Sequence, residues 1–451
     1  MGEWYSEAGR TPAQTNLHMA FATTLRQQVI DPFRENESLL MVCVATVLIM
    51  LGQGVISPVL PLYAKDFGVG ATMVGATISV FGLARMLLNL PAGLLSDRFG
   101  YRLLLVGGPA ITAIGSLLCA VAGDIWQLLA FRFVAGAGSA LFMTGALILV
   151  TDISTPENRG RMLSLQLGSL LLGVSIGPAV GGLTAQFFGL RAPFVVVGLL
   201  AAACTVWAMR RIPQSQRAAP ASIDNAGDHA ADEALAATAN AALRSLFINP
   251  GFILISLVSF SIFFTRTGSR QTVLALMGSE RLGLSAGALG GIFAMMALLN
   301  LVAIGPSGAW ADRFGRKRVI VPSLCIMVVA LGLFAVTGAL WLFLAAAVLQ
   351  GIGTGLGGPA PAAYAADVIP SRARGVGMGL FRTYSDIGFV AGPLLLGWIA
   401  DATGSFSWAL WLNAALLAAC ALLFGLFARE TVERRPGTAS PPTTEAAGAG
   451  Q

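Results

Sequence analysis

Hydrophobic residues gather in long runs along the chain, and shorter polar, charged or Gly-rich stretches separate these runs. Twelve runs reach the length of about 17 to 25 residues that a helix needs to cross a bilayer. They cover residues 39–63, 72–96, 103–123, 126–151, 162–189, 192–209, 251–277, 284–311, 319–338, 340–366, 376–400 and 406–428. The pattern predicts an all-α integral membrane protein with twelve transmembrane helices, numbered span 1 to span 12.

Composition agrees with a membrane protein. Of the 451 residues, 56% are hydrophobic and 11% are charged, whereas a soluble domain carries roughly 25% charged residues. These charges are too few to cover a water-facing surface. The first 36 residues lack the basic and then apolar pattern of a signal peptide, so the first apolar run is expected to be span 1.

The basic residues are distributed unequally between the two faces of the predicted membrane domain. Of the 28 Lys and Arg residues, 20 lie in the tails and in the connections that follow even-numbered spans, and five lie inside spans. Only Lys65, Arg191 and Arg281 lie on the other side. The positive-inside rule therefore predicts cytoplasmic termini, in a multi-pass protein of the plasma membrane. The net charge of +6 follows from this topology and does not indicate nucleic-acid binding.

The two halves of the chain repeat one another at an offset of 215 residues. Asp97-Arg98-Phe99-Gly100 aligns with Asp312-Arg313-Phe314-Gly315, and Gly177-Pro178 aligns with Gly392-Pro393. Chance apolar similarity cannot place charged and Gly-Pro pairs in one register, so the repeat indicates an internal duplication. Six spans return the chain to the same face, which predicts two six-helix parallel repeats related by an axis along the membrane normal.

The repeat and the polar stretches together predict five regions. These are a cytoplasmic N-terminal tail (1–38), an N-terminal bundle (39–209), a cytoplasmic linker (210–249), a C-terminal bundle (250–429) and a disordered cytoplasmic tail (430–451).

Two charged loops follow spans 2 and 8, namely GLLSDRFGYR at 93–102 and GAWADRFGRK at 308–317. They resemble the signature G-x-L-x-D-R-x-G-R-R/K of the major facilitator superfamily, with Tyr101 and Trp310 as departures. The resemblance implies a cytoplasmic gate, in which each Asp meets the N-terminus of span 11 or span 5. The alternative is a basic loop without a gating role. The gate candidates are Gly93, Asp97, Arg98, Gly100, Arg102, Gly308, Asp312, Arg313, Gly315, Arg316 and Lys317.

Span 5 contains GVSIGPAVGG at 173–182, which resembles the G-x-x-x-G-P-x-x-G-G signature of drug:proton antiporters in this superfamily. Glycines four residues apart form a smooth helix face, and a proline bends the helix, so span 5 is expected to pivot against a partner. Generic close packing is the alternative. The pivot candidates are Gly173, Gly177, Pro178, Gly181, Gly182, Gly392 and Pro393.

Charged and amide residues inside the spans are candidates for coupling and binding. An unpaired Arg at the centre of a membrane helix costs about 2.5 to 3.5 kcal/mol, so lipid-facing positions are excluded. The resemblance links Arg132 in span 4 to proton transfer, although carbonyl binding is the structural alternative. The cavity candidates are Gln53, Arg266, Arg270, Asn300 and Gln350. A helix-shaping role for the region around Gln53 and interhelical hydrogen bonding for the arginines are the alternatives.

Asp386 in span 11 is the only carboxylate well inside a predicted span. Coupling requires a group that changes charge within the membrane, so Asp386 is the leading proton-carrier candidate, with Arg382 and Arg85 as the cations that would tune it. A permanent pair between Asp386 and Arg382, one turn apart, is the alternative.

Several classes of protein are disfavoured. The chain has no G-x-x-x-x-G-K-S/T loop for ATP, no recognisable catalytic set and no metal-ligand spacing, so we expect neither an enzyme nor a cofactor. The leading interpretation is proton-driven efflux of small amphipathic molecules by a monomer in the lipid bilayer. Uptake or exchange of an organic anion or metabolite, a membrane sensor or lipid-handling protein, and a membrane enzyme remain alternatives.

Overall fold

The computed structural model describes residues 31, 33, 36–155, 158–212, 246–370 and 374–431, without the side chains of residues 90, 97 and 375. Most of the predicted tails, most of the predicted linker and the Asp97 side chain lie outside this description. The spans are Glu37–Ile56 with Leu60–Lys65 (1), Ala71–Phe99 (2), Tyr101–Ala120 (3), Ile125–Asp152 (4), Arg159–Phe188 (5), Ala192–Arg211 (6), Pro250–Phe264, Thr265–Val273 and Leu274–Leu282 (7), Ala286–Phe314 (8), Lys317–Val336 (9), Leu340–Leu356 with Ala360–Val368 (10), Arg374–Thr403 (11) and Phe406–Phe427 (12).

The prediction of an all-helical twelve-span fold is confirmed. In the described part of the chain, eleven segments are long and apolar enough to cross a membrane. Span 11 is the twelfth. Its 30-residue helix is long enough, but polar residues, including Arg382 and Asp386, lower its mean hydropathy.

Turn chemistry fixes several ends of the spans. Asn36 and Asp124 cap spans 1 and 4, because each side chain accepts a hydrogen bond from the backbone of the first turn. Spans 2 and 8 end at the repeat partners Gly100 and Gly315, whose φ angles of 81° and 108° favour glycine. The sequence duplication is therefore matched by duplicated helix ends.

The two halves have the same internal packing. Span 1 packs on span 5, span 2 on span 4 and span 3 on spans 4 and 6, and the equivalent pairs in the second half are 7 with 11, 8 with 10 and 9 with 10 and 12. The halves meet chiefly where span 2 packs on span 11 and where span 5 packs on span 8. These four helices therefore form the boundary between the repeats.

In the part of the chain that the structure describes, the two halves are in direct contact on one side of the membrane domain. We call the face at which span 1 begins and span 12 ends the terminal face, and the opposite face the far face. Among the described residues, the hydrogen bonds and the salt bridge between the halves lie at mid-membrane or towards the far face. Towards the terminal face six glycines of these four helices are open, since a Cβ added at any of them would meet nothing within 4 Å. These six are Gly93, Gly160, Gly168, Gly305, Gly308 and Gly379. The halves therefore diverge towards the terminal face.

Candidate functional site

Spans 2 and 11 are in close contact towards the far face, and charged residues lie at the point where the two helices begin to separate. The last close contacts are between Gly82 and Phe389, and between the Ser79 hydroxyl and the Val390 carbonyl, which it donates to at 2.6 Å. One turn further towards the terminal face come Arg85 on span 2 and Asp386 on span 11. A charged group thus lies at the apex of the space between the halves.

The structure brings together four of the charged residues singled out in the sequence. Arg85 interacts electrostatically with Arg382, Asp386 and Arg266. Arg382 is exposed, whereas Arg85, Arg266 and Asp386 are half-buried. Among the described residues, no salt bridge within 4.0 Å includes Asp386. Asp386 is therefore close to cations without a direct ion pair in this conformation, and its role as proton carrier stays a prediction.

Span 7 changes its winding beside this group, because Thr265–Val273 forms a π-helix. Short π-helical segments are rare overall, and those that do occur are often found at functional sites. Both Arg266 and Arg270 lie in this segment. The Arg270 guanidinium lies 5.9 Å from the centre of the Phe293 ring, and Arg270 is 6% exposed. Within the described part of the chain, its Nε atom has no hydrogen-bond partner.

Asn413 in span 12 forms hydrogen bonds with the π-helical segment of span 7. Its Nδ2 donates to the Ser269 hydroxyl at 2.7 Å, and its Oδ1 accepts from the Thr265 hydroxyl at 3.1 Å. Asn413 is fully buried, so these bonds satisfy polar groups that would otherwise be unpaired in the membrane. Asn413 is absent from the candidates named above, although a single Asn in the apolar run of span 12 is a detectable signal.

The charged group has an excess of positive charge. Arg270 interacts electrostatically with Arg266, so four arginines (85, 266, 270 and 382) accompany a single carboxylate, that of Asp386. An excess of one sign of charge in a space with low-dielectric walls attracts ions of the opposite sign. The site can therefore attract an anionic group, while proton exchange by Asp386 stays a prediction.

Arg132 lies apart from this group, within the N-terminal half. Its Nε donates to the Thr77 carbonyl at 3.3 Å, and its guanidinium lies 4.5 Å from the centre of the Phe81 ring. Arg132 is 6% exposed. These contacts join span 4 to span 2 and match the structural alternative of carbonyl binding, while a part in proton transfer stays a prediction.

The amide candidates are spread over three spans. Gln53 in span 1 and Asn300 in span 8 are half-buried. Gln350 in span 10 is buried, and in the described residues its Oε1 atom has no hydrogen-bond partner. Their assignment to a substrate cavity stays a prediction.

The predicted pivot glycines pack mainly inside their own half. A Cβ on Gly173 or Gly177 would lie 2.5 Å from span 1 atoms, and one on Gly181 would overlap the Val55 carbonyl. In the second half Gly392 meets Phe264 of span 7 in the same way. Pro178 and Pro393 lie within continuous helices. The partner of span 5 along this face is therefore span 1.

Gly182 faces in another direction and contacts the opposite half. A Cβ there would lie 2.7 Å from the Gly290 Cα and the Ala286 carbonyl of span 8. A Cβ on its repeat partner Gly397 would overlap the carbonyl oxygen of Ala71 in span 2. These two contacts are part of the close packing between the halves towards the far face.

The first charged loop makes contacts within the N-terminal half. Arg102 donates to the Met209 carbonyl in the last turn of span 6 at 3.1 Å, and the Arg98 guanidinium lies 5.2 Å from the centre of the Phe99 ring. The gate candidates Gly93 and Gly308 are open in this conformation, because a Cβ added at either would meet nothing within 4 Å.

The second charged loop forms an ionic cluster within the C-terminal half. Arg316 contacts Asp312 at 3.2 Å and Asp367 at 3.1 Å. Glu430 accepts hydrogen bonds from the backbone N–H groups of Arg316 and Lys317, at the start of span 9. In this conformation the Asp312 carboxylate pairs with Arg316, and its expected contact with the start of span 5 stays a prediction. The remaining candidates make local contacts, Arg313 with the Phe314 ring and Lys317 with the Ala428 carbonyl.

Comparisons with known proteins agree with this architecture. The family profile described as Major Facilitator Superfamily matches residues 42–276 and 260–449. An uncharacterised MFS-type transporter of Methanocaldococcus jannaschii is 24% identical over 374 residues, which cover 82% of this chain and 92% of the relative. Quinolone resistance protein NorA of Staphylococcus aureus is 24% identical over 360 residues, covering 78% and 87%.

Solved structures show the same fold. A bacterial homologue of the human lysosomal transporter Spinster, in an inward-facing and unoccupied conformation, has a TM-score of 0.72 at 17% identity and covers 86% of this chain and 95% of its own. The nucleoside transporter NupG has a TM-score of 0.69 at 15% identity, with coverage of 86% and 98%.

Proposed function

The chain belongs to the major facilitator superfamily of membrane transporters, and we propose that it exports small amphipathic molecules in exchange for protons. The supporting observation is Asp386, a half-buried carboxylate beside Arg85 and Arg382 at the apex of the space between the halves. A carboxylate at this point can exchange a proton with one face at a time as the halves rock.

Nearby cations provide a mechanism for coupling. They favour the ionised form of Asp386, while loss of water on closure favours the protonated form. If rocking moves Arg85 on span 2 away from Asp386 on span 11, the affinity for a proton changes between the two conformations. A change of this kind links proton movement to conformation.

Sequence similarity and charge distribution support export. Quinolone resistance protein NorA is a relative along most of the chain, and the Gly-Pro pattern of span 5 resembles that of drug:proton antiporters. The excess of basic residues assigns the terminal face to the cytoplasm. The opening between the halves would then receive molecules from the cytoplasm, in a plasma-membrane protein that works as a monomer.

Proton-coupled transport of an organic anion is the second candidate, and the excess of arginine around Asp386 favours it. An anion bound to Arg266 or Arg270 would offset the cations that stabilise the Asp386 carboxylate, so anion and proton would bind cooperatively. Cooperative binding is typical of co-transport. Antiport instead requires that proton and substrate bind in different steps.

A dye and resistance panel separates the two candidates. Cells that overproduce the protein are loaded with a cationic dye such as ethidium or an anionic dye such as carboxyfluorescein, and retention is followed with and without a protonophore. Protonophore-sensitive loss of ethidium, together with raised resistance to amphipathic drugs, supports proton-driven export.

The Asp386→Asn variant, compared at matched membrane abundance, tests whether proton-driven transport depends on the Asp386 carboxylate. Protonophore-sensitive accumulation of carboxyfluorescein with unchanged drug resistance would instead support the second candidate. Wild-type export of ethidium by Asp386→Asn would exclude Asp386 from the mechanism.

A further inference from the structure

Span 2 receives its N-terminal cap from the other half of the protein. The backbone N–H groups of Ala71 and Thr72 each donate to the Asp401 carboxylate at 2.8 Å, and the Thr72 hydroxyl donates to it at 2.5 Å. Asp401 lies at the far-face end of span 11, 330 residues away. A helix cap is ordinarily supplied by the residue just before the helix, which here is Gly70 and offers no side chain.

Comparison of the two repeats shows that span 2 is capped from the opposite half, whereas its repeat partner span 8 is not. The partner of Gly70 is Ser285, whose hydroxyl accepts from the Ala288 N–H and caps span 8 locally. The partner of Asp401 is Gln186, which lies against Gly287 at the start of span 8. Span 8 thus has its own cap and a neutral neighbour, whereas span 2 has no cap of its own and a carboxylate from the opposite half.

We infer that Asp401 is a far-face latch, a positioning residue that holds span 2 against span 11 in this conformation and releases it when the halves part. Its three hydrogen bonds cross between the halves, so they cannot survive separation of span 2 from span 11 at this face. Water can replace them on release, because Asp401 is exposed and Thr72 is only partly buried. The Lys65–Glu280 pair at 3.1 Å, also between the halves, adds a second contact at this face.

This latch complements the gate expected at the terminal face. Spans 2 and 11 run in opposite directions, so each presents its N-terminus to the C-terminal end of the other. Asp401 on span 11 caps span 2 in this conformation, and the gate hypothesis gives Asp97 on span 2 the equivalent place against span 11 in the opposite conformation. The same two helices would then carry one carboxylate latch for each state.

The conformational equilibrium tests the latch directly. Spin labels are attached at Gly123→Cys and Gly338→Cys, two repeat-related far-face positions in opposite halves, after replacement of the five native cysteines. Pulsed EPR then gives the distance distribution. Loss of an N-cap should lower the closed-to-open ratio at the far face by about 2- to 30-fold in Asp401→Ala, with a smaller change in Asp401→Asn.

Two variants separate a latch from an ordinary helix cap. Asp124→Ala removes a carboxylate cap from span 4 inside one half, so it should lower thermal stability without changing the distance distribution. Adding Gly70→Ser to Asp401→Ala gives span 2 a local cap like that of span 8. The latch predicts that stability recovers while the distances stay shifted. Full recovery of the distances, or no shift in Asp401→Ala alone, would overturn the inference.

Discussion

Replacement of Gly182 by Ala is expected to drive the halves apart at the far face. A Cβ at this position would lie 2.7 Å from the Gly290 Cα and the Ala286 carbonyl oxygen. Ordinary contacts begin near 3.4 Å, so spans 5 and 8 must separate by several tenths of an ångström. Overpacking of this kind costs about 1 to 3 kcal/mol.

The cost falls on one conformation, because span 5 and span 8 belong to different halves. The closed-to-open ratio at the far face should therefore fall by about 5- to 150-fold, which the distance between labels at Gly123→Cys and Gly338→Cys would report. Gly177→Ala is the matched control. Its Cβ would lie 2.5 Å from the Gly54 Cα within the same half, so it should lower stability without changing the ratio.

Gly168→Ala completes the series, because a Cβ there meets nothing within 4 Å and neither property should change. If Gly182→Ala leaves the label distances at their wild-type values, the Gly182 contact does not set the equilibrium. An equal shift in Gly177→Ala would refute the distinction between contacts inside one half and contacts between the halves.

Three other substitutions test separate parts of the site. Asn413→Ala should lower the free energy of unfolding by about 1 to 3 kcal/mol, because the Ser269 and Thr265 hydroxyls lose a buried partner; an unchanged thermal midpoint would contradict this. Asp97→Asn should reduce dye transport severely at normal membrane abundance if Asp97 forms the terminal-face gate, and a wild-type rate would exclude that role. Arg270→Gln should weaken inhibition by anionic amphiphiles more than inhibition by cationic ones, compared in dose-response curves, and equal weakening would argue against an anion site.

Much of the fold follows from local sequence patterns. Apolar runs gave the positions of the spans because a membrane requires each crossing helix to satisfy its own backbone. The offset of 215 residues gave the two parallel halves, and the spacing of Gly173, Gly177 and Gly181 predicted a close helix contact. Each of these features depends on residues that are near in sequence or aligned by the repeat.

Other features depend on distances that a single sequence does not report. Asp401 caps a helix that starts 330 residues earlier, and Glu430 caps span 9 from beyond span 12. The residue types in the π-helix of span 7 are equally compatible with an α-helix that carries polar residues. The sequence pattern alone therefore could not distinguish the two kinds of helix. The separation of the halves at one face is a property of the conformation, because one sequence serves both states.

Proton-driven export is tested most directly in everted membrane vesicles. Respiration acidifies the vesicle interior, a quenched acridine dye reports the pH difference, and ethidium is then added as substrate. Exchange predicts that ethidium dissipates the pH difference in vesicles with the wild-type protein but not in vesicles with an equal amount of Asp386→Asn. An equal response in both kinds of vesicle, or no response in the wild type during ethidium uptake, would contradict proton exchange through Asp386.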